Sequence, residues 1–364
     1  MFSTKKAMLT EDEIKSGVPQ ILDLNMAFFT QQCLYTMVKL RIPDVIGAET
    51  LSVKEICQRL GDNVEQDLLF RQMRLLAEVG IFVETASEDG ENQYCYSLAL
   101  QGKLLQTGVE GQPSMACGVH HWSEQPVWKA WSMLPEITSG QAKGESPFKR
   151  ANKKEIFTYY KEHPESAEHF NEFMSFFSDG ELRGILNDFD WSVFNGKQIC
   201  DIGGCYGAVM KVVKEKFPDI TTINFDLPEV IEKAESIPGV QMVTGDMFDS
   251  STIPSCNVVF MKHILHDWDD EDCIKIMKSL HKALPSDGKV VICDAILPKP
   301  GVTNPIAKSQ KALDMLMAII GGRERNQDQW RAIFEASGWK IDSVLPMTSG
   351  GPLTGIITTS NCKV

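Results

Sequence analysis

The run Cys200-Asp201-Ile202-Gly203-Gly204-Cys205-Tyr206-Gly207 constrains this chain most. An apolar stretch that ends in an acid and a glycine turn, then a helix, is how α/β proteins cradle a nucleotide-like ligand. Glycine permits a tight turn and close approach, and the helix start offers unpaired N–H groups. About twenty residues on, as such sheets require, Thr222-Ile223-Asn224-Phe225-Asp226 reads as a second strand ending in a carboxylate suited to a ribose diol. Val243 to Phe248, with Gly245 and Asp246, and the apolar run Val258 to Met261 before Lys262 repeat the pattern. Each acid falls at the strand edge where open parallel sheets bind ligands. No G-x-x-x-x-G-K-[ST] run accompanies them, so a nucleoside without a triphosphate fits better than ATP.

At 364 residues the chain exceeds one average domain and can bury a large core. Its formal charge of −13 disfavours nucleic acid, whose phosphates draw Lys and Arg, and favours a small-molecule partner. The ten cysteines form no C-x-x-C pair and no zinc spacing, and no metal is expected. Lys5 and Lys6 mix with Glu11, Asp12 and Glu13 without a secretory pattern, and no run of about eighteen apolar residues occurs. A reduced cytoplasmic setting without a membrane span is the expectation.

The N-terminal hundred residues predict helices: Leu22 to Leu40, broken at Ile42-Pro43-Asp44, then Val53 to Leu60 behind a Ser52/Glu55 capping box, then Asp67 to Val79. Ile81 to Val83, a polar turn at Ser87 to Glu91, and Tyr94 to Leu98 predict a hairpin. Together these elements describe a winged helix. It reads either as a DNA reader or as a packing and dimerisation module, and Arg71 and Arg74 against Glu65, Asp67 and Glu78 favour the second. From Trp122 to Asp190 helices with aromatic clusters follow, and these aromatics are either core or a substrate wall. The alternation from Lys197 onward predicts a mainly parallel sheet with helices on both faces.

The order D-x-G-G, F-D-L-P, G-D-M-F, L-H-D-W and Gly321-Gly322-Arg323-Glu324-Arg325 resembles small-molecule O-methyltransferases that use S-adenosylmethionine, the caffeate- and acetylserotonin-methylating type. The resemblance spans most of the chain. It implies a Rossmann-like class I methyltransferase domain over residues 116–364, with residues 116–190 as substrate wall. It also implies an N-terminal winged-helix dimerisation domain over 1–115, and hence a homodimer. Gly203 with its turn would face the methionine end of S-adenosylmethionine, Asp226 the ribose, and Asp246 and Met247 the adenine, with Asp201 and Leu227 as further cofactor-binding residues. Lys262 would add a contact near the cofactor, and Asp267 and Trp268 would approach the adenine. Phe170, Met174, His263 and Tyr206 are the candidate substrate contacts.

Methyl transfer to an alcohol or phenol also needs a base. His266 is the candidate, because imidazole can take a hydroxyl proton near neutral pH. The competing reading makes His266-Asp267 a cap for the helix from Asp269. Two acids could orient the imidazole: Glu324, unless it pairs with Arg323 or Arg325, and Asp294, where relatives carry Glu and the shorter side chain is expected to need a water or a backbone adjustment to reach. The glycine turn departs from the family's G-G-G-x-G by placing Cys205 and Tyr206 within it. Either the turn adapts and still binds cofactor, or affinity is reduced; the intact remaining motifs favour adaptation. S-methylation of a thioether acid such as methylthio-hydroxybutyrate, which similar enzymes perform in dimethylsulfoniopropionate synthesis, is the alternative chemistry, since thioether sulfur needs no deprotonation. A winged-helix S-adenosylmethionine sensor is the non-enzymatic alternative.

Overall fold

The computed structural model describes residues 7–61, 63–86, 94–142, 144–349 and 354–362. The chain divides into two compact units, one comprising Met1–Trp128 with His163–Phe176, the other Lys129–Glu162 with Phe177–Val364.

In the first unit the leading helix runs Glu11–Lys39, starting well before the expected Leu22. Thr10 and Glu13 close a capping box, and Glu11, Asp12 and Glu13 oppose the positive helix end. Its polar first turns hide it from an apolar-pattern search. Pro43 does not merely interrupt: it opens the short helix Ile42–Ile46, where a missing N–H costs nothing. The Ser52/Glu55 capping box starts Val53–Leu60 as expected, and Gln66–Glu78 buries Leu69, Met73 and Leu76. Phe82–Ala86 pairs antiparallel with Tyr94–Leu98, whose other edge takes Leu51–Ser52. The expected polar turn at Ser87 to Glu91 lies outside the described residues. Arg71 lies 3.7 Å from Asp67, and the Arg74 guanidinium sits 5.3 Å above the Phe70 ring.

The second unit is built on strands β1 (Gln198–Ile202), β2 (Thr221–Asp226), β3 (Val240–Thr244), β4 (Val258–Lys262), β5 (Lys289–Leu297), β6 (Trp339–Pro346) and β7 (Thr354–Asn361). Their spatial order is β6-β7-β5-β4-β1-β2-β3. The β5-β4-β1-β2-β3 part is parallel, and β7 runs antiparallel to both β5 and β6. Order reverses beside β1, so the crevice beyond its C-terminal end is the switch point where such sheets bind ligands. One core cluster includes Ile223, Met261, Ile292 and Trp330, and another Ile199, Phe260, Val291 and Trp191. Each such side chain contributes about 1.5–3 kcal/mol on burial, which makes the sheet a stiff platform for the loops at that edge.

Candidate active site

The glycine turn opens at the end of β1. Gly203 and Gly207 take φ of 73° and 83°, and Cys205, despite its Cβ, takes 51°. Two bonds hold that left-handed cysteine: its N–H donates to Asp226 Oδ2 at 2.8 Å, and its carbonyl accepts from Asn224 Nδ2 at 2.8 Å. A Cβ on Gly204 would lie 2.1 Å from Asn224 Oδ1 and against the Asp201 carboxyl, so that position has no room for a side chain.

The expected cofactor residues line this edge. Asp201 is 2 % exposed, and its Oδ2 has no hydrogen-bond partner. Burial raises its pKa to about 8. An orphaned carboxylate oxygen beside a glycine turn fits the ammonium of a bound amino-acid moiety. Asp226 ends β2, accepts a second N–H from Leu227 at 2.7 Å, and has its pKa raised by burial. Asp246 is exposed beyond β3, with Oδ1 accepting from the Phe248 N–H at 2.9 Å, and Met247 is half-buried beside it. Trp268 packs edge-on against Phe248 at 4.9 Å. Tyr206 is 51 % exposed at the turn.

Lys262, at the end of β4, is turned to Ser178 Oγ at 3.2 Å and Glu181 Oε2 at 3.4 Å. His263 follows with φ of 53°, a conformation rare for a side-chain-bearing residue. Its Nε2 lies 2.8 and 2.9 Å from the two Glu181 oxygens, and its Nδ1 faces Asp294 Oδ1 at 3.4 Å. His266 stands in a short 3₁₀ turn, Leu265–Asp267, its ring 5.0 Å from that of His263. It does not cap the next helix: Asp269 does, accepting from the Asp272 N–H at 2.8 Å.

Glu324 reaches the imidazole, 2.9 Å from His266 Nδ1, whereas Asp294 stops at 3.5 Å, as its missing methylene implies. Glu324 is not an arginine partner. Arg323 and Arg325 both turn to Asp270, at 3.3 and 2.8 Å. The fully buried Arg325 also donates to the carbonyls of Leu265 at 3.1 Å and Trp268 at 2.7 Å, bracing the turn that carries His266. Gly322 makes the approach possible. A Cβ there would sit 2.4 Å from the His266 carbonyl oxygen, the same oxygen that accepts the Arg323 N–H at 2.7 Å.

Burial opposes charge on His266, but Asp294, Asp267 and Glu324 outweigh it and raise the pKa to about 10. Burial likewise opposes, and Glu181 and Asp294 reverse, the shift on His263, which is upward. Glu181, despite burial, is lowered to about 2 by His263 and Lys262. The ligand-free site therefore favours an imidazolium at position 266. A cationic ligand beside it pushes the other way.

Sequence reading missed Glu181 and misplaced Arg325. Glu181 falls seven residues after Met174, two turns along the helix Pro164–Asn187, and an acid at that interval in an aromatic-rich helix was the available signal. Phe170 and Met174 belong to the first unit, where the His121 ring packs 5.3 Å from that of Phe170. Among the described residues no helix is long and apolar enough to cross a membrane.

A sheet of this order, with a glycine turn after its first strand and acids on the next two edges, defines a class I methyltransferase. Residues 131–340 match the O-methyltransferase domain model, and residues 22–108 match the O-methyltransferase dimerisation domain. The chain belongs to the O-methyltransferase family and is an S-adenosylmethionine-dependent methyltransferase. Tabersonine 16-O-methyltransferase of Catharanthus roseus is 33% identical over 92% of this chain and 95% of its own length. Nicotinate N-methyltransferase 1 of Glycine max is 35% identical, covering 88% and 90%. The structure of the mitomycin 7-O-methyltransferase MmcR shares the fold, with a TM-score of 0.82 at 23% identity over 97% of this chain and 100% of that one.

Proposed function

We propose that this enzyme methylates a hydroxyl on a small aromatic acceptor, with His266 as general base. The observation that carries this is the buried pair of His266 Nδ1 and Glu324 Oε1 at 2.9 Å. Glu324 holds the Nδ1 proton, which leaves Nε2, 3.6 Å from Asp267 Oδ1, as the ring atom able to accept the acceptor's proton. Bound S-adenosylmethionine supplies an electrophilic methyl on a sulfonium. Asp201, Gly203, Asp226 and Leu227 would hold its amino-acid and ribose parts, Asp246, Met247 and Trp268 its adenine. Lys262, held by Glu181 and Ser178, would position that edge rather than carry a proton.

Tabersonine and caffeic acid methylation by relatives supports an aromatic hydroxyl. The nicotinate N-methyltransferase supports a second reading, in which a neutral nitrogen, or the thioether sulfur of a small acid, attacks without a base. The imidazolium favoured at His266 is compatible with that reading. Product analysis with S-adenosylmethionine and a panel of phenols, indoles, pyridine carboxylates and thioether acids separates them. A methyl ether formed by the wild type and lost in His266→Asn supports the base; a methylated nitrogen or sulfur product retained in that variant refutes it.

We infer a homodimer in the cytoplasm, with the winged helix serving dimerisation and not nucleic acid. Its support is the dimerisation-domain match and the apolar residues Ile14, Val18, Ile21, Leu22, Phe28 and Phe29 left exposed on the first helix of a single chain. Sedimentation of the purified protein tests it.

A further inference from the structure

The second histidine and the short acid do not belong to base catalysis alone. One ligand atom from each of His263, His266 and Asp294 lies within 4.8 Å of the other two. Two of the separations, 3.4 Å from His263 Nδ1 and 3.5 Å from His266 Nδ1 to Asp294 Oδ1, exceed the roughly 2.7–3.2 Å of a good N–H···O bond. They match the edge of a tetrahedron around an ion with ligand bonds of about 2.0–2.1 Å, which is about 3.3–3.4 Å. Glu324 Oε1, 2.9 Å from His266 Nδ1, is at hydrogen-bond distance and stays outside the trio.

The polar atoms are left in a state that calls for a cation. Asp294 is fully buried and neither of its oxygens has a hydrogen-bond partner; His263 Nδ1 and Glu324 Oε2 also have none. Because Glu181 takes His263 Nε2 with both oxygens, a neutral His263 carries its proton there and aims the Nδ1 lone pair at the Asp294 carboxylate. Asp294 Oδ1 lies 3.4 Å from that nitrogen, and a cation bound by both would take the place of a proton there. A carboxylate behind the far nitrogen of a ligating imidazole is also the usual way a metal-binding histidine is oriented. The left-handed backbone at His263 maintains this aim at a conformational cost.

We propose that His263, His266 and Asp294 form a regulatory site for a divalent zinc-class cation, distinct from any need of methyl transfer for a metal. Two imidazoles and one carboxylate are ligand types that zinc takes, in the three-ligand number of sites that leave a fourth position open. Its occupant ties up His266 Nδ1, so bound metal inhibits. That consequence, unlike the site itself, rests on His266 being the base.

Cobalt(II), a spectroscopic substitute for zinc, tests the site on dialysed full-length protein without S-adenosylmethionine. The expected result is the intense visible absorption of tetrahedral cobalt saturating at one ion per chain, bleached by Zn²⁺, with no thiolate charge-transfer band from the cysteines. His263→Asn and Asp294→Asn should each abolish the signal while circular dichroism stays native. Glu181→Gln, which touches no metal, should weaken binding about 10–100-fold. A weak octahedral spectrum, a thiolate band, or titrations unchanged in the variants would overturn the proposal. Should either direct-ligand variant misfold, the wild-type spectrum and Glu181→Gln decide. Cobalt binding without inhibition of turnover would leave the site standing and remove the base.

Discussion

The cofactor edge and the base cluster share one sheet but are built differently. At the edge, Cys205 and Leu227 N–H groups satisfy Asp226 and the Phe248 N–H satisfies Asp246, so these two acids are held by backbone of the same edge, while Asp201 keeps one buried oxygen open. In the cluster, Glu181, His263, His266, Asp294 and Glu324 arrive from separate elements, and several buried oxygens lack partners. The difference is what the proposed division into a cofactor frame and a reactive cluster rests on. Satisfied groups fix geometry, whereas unsatisfied buried ones retain capacity for a proton or a ligand.

Substitution on the cluster side should cost most. Glu324→Gln removes the carboxylate charge and lets an amide NH2 face His266 Nδ1, so the tautomer is no longer fixed, and kcat for a hydroxyl acceptor should fall about 10²–10⁴-fold with cofactor affinity retained. Steady-state kinetics beside calorimetry checks this; equal losses in turnover and cofactor affinity would erase the contrast between the regions. Gly322→Ala places a methyl 2.4 Å from the His266 carbonyl oxygen, and because the obstacle is backbone, thermal melts should show a loss of about 1–3 kcal/mol.

On the frame side the effects are smaller. Burial raises Asp201 to about 8, above its unfolded value, so between about pH 4 and pH 8 the folded chain keeps a proton that the unfolded chain has released. Its contribution to stability is therefore present below that window and lost as pH rises through it. An ammonium placed on Asp201 offsets the loss, so the melting shift produced by S-adenosylhomocysteine should grow from pH 6 to pH 9. A shift that shrinks over that range removes Asp201 from the ammonium site. The smallest effect is expected for Cys205→Gly: relief of the 51° φ is countered by greater unfolded-chain freedom, leaving stability within about 1 kcal/mol. A large gain in cofactor affinity would instead show that the cysteine impairs the turn.

Much of the frame was legible because strand, glycine turn and acid follow one another within a few residues. His266 and Glu324 were legible from their motifs, and the short reach of Asp294 from its missing methylene. The roles of Glu181, His263 and Arg325 were not. Glu181 and His263 meet across 82 positions, and Arg325 lies in a basic-looking run that suggests surface until its guanidinium is seen against Leu265 and Trp268 carbonyls. The first helix was misplaced because its early turns are polar, and their stability comes from a cap rather than an apolar face.

Single-turnover methyl transfer by His266→Asn, with cofactor affinity measured on the same sample, tests the central claim most directly. The account predicts cofactor binding within a few-fold of wild type and methyl-ether formation slowed at least about 100-fold. Transfer at the wild-type rate with cofactor bound would contradict it.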